Sequence, residues 1–159
     1  MKVFCFLLAG CLTSCVPSSI YYVVNDQLQL SNSPRRKVFV LKEQYFQDAS
    51  NYVEMLNGRK WIQFDQKVKT LSDERARSFL RGLRLLVDRE YYPAFRMVNA
   101  YPDADFDCQM GILKADCLHE LKSDSISFRK KYQAAFDCSP DPKIKSIAEF
   151  RFRAIKYGY

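Results

Sequence analysis

The sequence predicts an α+β fold: one small domain with a few antiparallel strands, one long amphipathic helix and a helical hairpin. Three observations carry that expectation. The chain has 159 residues, 48% hydrophobic and 14% aromatic, which supplies one core and calls for no second domain. Two segments, 72–91 and 106–137, repeat apolar residues at helical spacing. Two others, 37–41 and 150–154, carry the β-branched and aromatic residues or the alternation of strands.

In chain order, Met1-Lys2 supplies a positive charge, and residues 3–12 follow as an uncharged, mostly apolar run. That is the layout of an export signal, and at about ten residues it is half of what a membrane-spanning helix needs. Leu12-Thr13-Ser14-Cys15 then resembles the lipobox of bacterial lipoproteins, in which a branched residue and two small ones precede a cysteine that is acylated. Leu8-Ala9-Gly10-Cys11 fits the same pattern but leaves only residues 3–7 as its apolar run, so Cys15 is the expected lipid-bearing residue. The resemblance covers about a tenth of the chain. It implies a signal peptide over 1–14, attachment to the membrane through a lipid and residence in the cell envelope. With Val16 rather than an acid after the cysteine, the outer membrane facing the periplasm is the expected address; an ordinary secretory signal and a secreted protein is the alternative.

Residues 15–36 read as a lipid-bearing tether with the first short strands, at 20–24 and 28–30, and 37–159 as the globular domain. Residues 37–41 make the better strand. A short helix is expected near 42–49, followed by a hairpin of 52–56 with 59–64 around Asn57-Gly58, although the same dipeptide also suits a helix C-cap. The helix over 72–91 has Ser72 as its expected N-cap, Asp73 and Glu74 in the first turn, and Pro93 beyond its end. Ala76, Phe79, Leu80, Leu83 and Val87 form its apolar face and Arg77, Arg81 and Arg84 the opposite one. The hairpin expected over 106–122 and 125–137 turns near Asp124, and the tail alternates Phe150, Phe152 and Ala154 with Arg151 and Arg153 as a strand wet on one face.

The formal net charge is +7, and loss of residues 1–14 removes Lys2 alone, leaving 24 basic side chains against 18 acidic, or +6. In the envelope such a surface points to anionic lipid head groups, acidic glycans or acidic proteins, with a protein of acidic surface as the expected partner and no nucleic acid. Between Arg59 and Arg96 ten basic residues face five acidic ones. Arg77, Arg81 and Arg84, with Trp61 as an aromatic neighbour, are the candidate binding patch. Asp103, Asp105 and Asp107 alternate as calcium ligands do, but Cys108 stands where an EF-hand needs glycine and Lys114 where it needs the bidentate acid, so a solvated helix-start loop is expected. Cys108, Cys117, Cys138 and His119 have the donor types of a zinc site without its spacing.

With Cys15 given to lipid, three cysteines remain in the domain, so at most one disulfide forms among them. In an antiparallel hairpin the ends carrying Cys108 and Cys138 meet. Cys117, nine residues along the same helix as Cys108, lies ~13.5 Å up its axis, beyond disulfide reach. Cys108 with Cys138 is the expected bond. No nucleophile elbow, phosphate loop or metalloprotease helix is present, and no cofactor, metal or small-molecule substrate is expected. The function expected is a non-catalytic envelope lipoprotein acting by binding, as a component of an assembly or as a protective or inhibitory binder. The rival is a hydrolase of glycans or peptides working through Asp103, Asp105 or Asp107.

Overall fold

A computed structural model describes residues 21–24 and 38–156. The expected lipid site Cys15, the signal over 1–14 and the strand at 28–30 lie outside them. The architecture is helical. A pair of four-residue strands, β1 (Tyr21–Val24) and β2 (Val38–Leu41), precedes α1 (Ala49–Asn57), α2 (Trp61–Lys69), α3 (Glu74–Val87), α4 (Tyr91–Val98), α5 (Gln109–Glu120), α6 (Ser125–Cys138) and α7 (Pro142–Lys156). The strands run parallel, with Tyr21 opposite Val38 and Val24 opposite Leu41. The expected α+β fold with several antiparallel strands is therefore overturned.

Two expected strand regions are helices, each for a visible reason. Asn57-Gly58 ends a helix and does not turn a hairpin: the Lys60 N–H bonds Met55 O at 2.9 Å and the Arg59 N–H bonds Leu56 O at 3.3 Å, with Arg59 at φ 52°. This is a Schellman closure, which satisfies the last carbonyls of α1 and places a cation where the helix dipole favours one. In the tail, Ile144, Ile147, Ala148 and Arg151 are the buried residues, at helical spacing. An arginine counted as wet is inside, and that counting created the apparent alternation. The segment expected as a short helix at 42–49 is a series of turns with α1 starting at its end.

The helix expected over 72–91 is α3, and its cap is Asp73, not Ser72: the Asp73 carboxylate accepts from the Arg75 N–H at 2.8 Å. It closes with the same motif as α1, Glu90 N–H to Leu85 O at 2.8 Å and Arg89 at φ 65°. Pro93 lies inside the first turn of α4, where its missing N–H costs nothing. The end of α5 repeats the closure a third time, with Ser123 N–H to Leu118 O at 3.0 Å and Lys122 at φ 53°.

Phe79 and Leu83 of α3 are fully buried in one core that reaches from β2 to α7. The Phe79 ring meets Phe39, Phe46 and Phe106 at centroid separations of 6.4, 5.6 and 5.1 Å. Gly82 lets α3 approach α4 and α5: a Cβ there would sit 2.6 Å from Val98 Cγ1 and 3.2 Å from Leu113 Cδ2. Buried Gln109 stands in for a neighbouring strand, accepting from Val40 N–H at 2.9 Å and donating to Val40 O at 2.7 Å.

Candidate binding surface

Short connections at 58–60, 88–90 and 121–124 make α1/α2, α3/α4 and α5/α6 antiparallel pairs, so all three turns lie at one end of the helical stack, the turn end. Contacts between the pairs agree. Arg84, late in α3, bonds Asp65 of α2 at 2.5 Å, and burial together with the Glu120 carboxylate at the close of α5 raises the phenol of Tyr91 at the start of α4. The segments 42–48, 99–108 and 139–141 meet at the opposite, stapled end.

Most of the residues with chemical potential sit at or toward the stapled end, and they are committed to the fold. Cys108 and Cys138 are bonded, with Cα atoms 6.1 Å apart, joining the start of α5 to the end of α6. Cys117, the ninth of the twelve residues of α5 and so nearer the turn end, is buried. Asp103 accepts from Lys114 Nζ at 2.6 Å and Lys131 Nζ at 2.7 Å. Burial would raise its carboxyl; the two lysines outweigh that and hold it below the usual carboxylate range. Asp107 accepts from Lys42 Nζ at 2.5 Å and the Tyr45 hydroxyl at 2.6 Å, and Lys42 also bridges to Asp141. Asp105 faces Arg75 at 3.7 Å. The loop expected to be solvated is instead a clamp between β2, α3, α5, α6 and the start of α7.

His119 does not join a cluster of metal donors; its ring meets Phe128 edge-on at 5.2 Å. Among the described residues no group of three or more His, Cys, Asp or Glu is placed to hold a metal ion. The interior also holds a polar centre that the periodicity hides: Asp116 accepts from the Tyr132 hydroxyl and from Arg151 Nη1, both at 2.7 Å. Burial pushes the Tyr132 phenol far up, and the Arg151 guanidinium also covers the Phe39 ring at 4.7 Å. Gln109 and Asp116 inside the apolar run of α5 were the available signal, since a polar residue on a buried stripe has a partner waiting on a neighbouring element.

The structure brings two of the four patch residues together. Arg84 lies over the Trp61 ring at 5.6 Å while holding Asp65 and facing Asp88 at 3.6 Å. Arg77 donates to Leu71 O at 3.0 Å, and Arg81 is half-buried. Part of the arginine face is thus occupied by internal bonds. A more open surface is the outer side of α4, where Tyr92, Pro93, Arg96 and Met97 line a shallow depression. Tyrosine, arginine and methionine are residue types enriched at protein interfaces.

Fold and site together define a stacked-helix domain, stapled at one end by a disulfide and ion pairs, with its open surface on α4. No protein-family model, characterised protein or solved structure matches the chain. No helix among the described residues is long and apolar enough to cross a membrane.

Proposed function

We propose that this chain is a non-catalytic envelope lipoprotein, held by lipid on Cys15, that works by binding a protein partner with an acidic surface. The observation that supports it is the commitment of the carboxylates. Asp103 and Asp107 are neutralised by lysines, so two of the three carboxylates a hydrolase would use are engaged in holding loops together; Asp105 faces Arg75 through one oxygen and keeps the other buried without a hydrogen-bond partner among the described residues. The basic excess of the chain and the exposed Arg96 on α4 favour an acidic partner.

Two measurements test the two halves. Cys15→Ser is expected to abolish incorporation of labelled fatty acid; a mature chain that starts after Cys15, or carries no lipid mass, overturns the lipoprotein assignment. Crosslinking in native membranes is expected to capture a partner that Arg96→Glu loses while the urea midpoint holds. Hydrolysis of a glycan or peptide that disappears with Asp103→Asn or Asp107→Asn contradicts the binding role.

A further inference from the structure

Among the described residues the exposed large hydrophobic side chains are Ile62, Tyr92, Leu121 and Ile126, at 78, 59, 37 and 58% exposure. All four lie at the turn end. Ile62, Tyr92 and Ile126 are the second residues of α2, α4 and α6, so they occupy equivalent places in three successive antiparallel pairs. Each follows the left-handed cation of its own turn, Arg59, Arg89 or Lys122, by three or four residues. The arrangement recurs without any sequence repeat, because each pair closes with the same Schellman geometry. Scattered apolar residues on a surface need no explanation, whereas their collection on one end does.

The charges of this end indicate what covers it. Lys60 is paired with Glu54, and Arg84 with Asp65 and Asp88. Arg59, Arg89, Lys122 and, in the first turns of α6, Arg129 then stand against Glu90, Asp124 and the Glu120 beside Tyr91. Acids and bases are nearly balanced here, although the whole chain is strongly basic. An anionic lipid surface or a strongly acidic protein gains little from such a face. A second copy of this chain is repelled by most of the molecule and not by this end, where interspersed opposite charges are complementary to themselves under a two-fold rotation. The size sets the strength of the pairing. Six helix ends packed ~8–10 Å apart present on the order of 500 Å² in projection, below the ~800 Å² per partner of a standard interface, which makes the pairing a weak, concentration-dependent one.

We infer that the turn end is a homodimer interface, in which Ile62, Tyr92, Leu121 and Ile126 of one copy interleave with those of the other and the turn cations meet the partner copy's acids. This goes beyond the acidic partner proposed above and needs neither that partner nor lipid on Cys15; the two surfaces share Tyr92, so the dimer leaves Pro93, Arg96 and Met97 of the α4 depression to that partner. The test is sedimentation velocity of the full chain across a concentration series, in density-matched detergent. A monomer–dimer equilibrium is expected. Ile62→Asp with Ile126→Asp should weaken it at least about tenfold, since both copies lose their apolar contacts at once. Gln47→Asp with Gln133→Asp, adding the same charge at exposed positions elsewhere, should leave it unchanged. A monomer at every concentration overturns the inference, as does a dimer indifferent to the Ile62 and Ile126 changes. Capture of vesicles or of a different protein by the turn end of a monomeric chain overturns it as well.

Discussion

The two ends of this helical stack use similar residue types to opposite purposes. At the stapled end Lys42, Lys114 and Lys131 are spent on Asp103, Asp107 and Asp141, and a disulfide crosses the same region. At the turn end Arg59, Arg89 and Lys122 point outward from left-handed backbone beside exposed isoleucine and tyrosine. The difference teaches that a basic composition does not by itself locate a binding surface. Charge that is paired and half-buried holds loops, and only charge left beside exposed apolar groups is available to something else.

The comparison breaks first if the buried centre is not structural. Asp116→Ala leaves Arg151 and Tyr132 without their shared acceptor inside the core, and a loss of ~3–5 kcal/mol in urea denaturation is expected. Next is the staple. Cys108→Ser with Cys138→Ser should cost ~2–4 kcal/mol, because the bond closes a 30-residue separation, and reduction of the native protein should shift the melt equally. Gly82→Ala, a favourable change by helix propensity, should instead destabilise by ~1–3 kcal/mol because its Cβ would overlap Val98.

A pH series sharpens the contrast. Asp103 and Asp141 are both held below the usual carboxylate range, in each case because lysine and backbone or second-lysine bonds outweigh burial. A folded-state pKa lower than the unfolded one contributes stability that is full above the unfolded value and is lost as pH falls through the folded one. Stability should therefore drop on acidification through the carboxylate range, and Asp103→Asn should flatten that drop. The smallest effect belongs to the turn end. Arg89→Gly relieves a left-handed non-glycine residue and should raise stability by no more than ~1 kcal/mol in thermal melts.

Much of the helical part was legible in the sequence. The apolar stripe of α3, the hairpin of α5 and α6 and the meeting of Cys108 with Cys138 follow from helical spacing and turn length. The strands at 20–24 and 37–41 also followed, as β1 and β2, but their parallel pairing did not, and the strands expected at 52–64 and in the tail are helices, because short apolar segments carry both periodicities. Residues 52–56 and 150–154 could be either until Arg59 is seen closing α1 and Arg151 is seen buried on Asp116. The clamp was missed for another reason. Asp103, Asp105 and Asp107 read as a solvated loop, since their partners Lys114, Lys131, Arg75 and Lys42 come from elsewhere in the chain and only the tertiary fold supplies them. The turn end was equally hidden: Ile62, Tyr92 and Ile126 share no local sequence pattern, and their equivalence appears only as helix positions.

Paired urea melts of two double variants test the contrast between the ends most directly. Lys42→Ala with Lys114→Ala weakens the clamp and is expected to lower stability by at least ~2 kcal/mol, because the first removal leaves the half-buried Asp107 and Asp141 without their lysine and the second takes one of the two lysines of Asp103. Ile62→Ser with Ile126→Ser, measured at a concentration where the chain is monomeric, should stay within ~0.5 kcal/mol of the native protein, as exposed positions do. A turn-end variant that unfolds while the clamp variant melts like the native protein would contradict the assignment of the two ends.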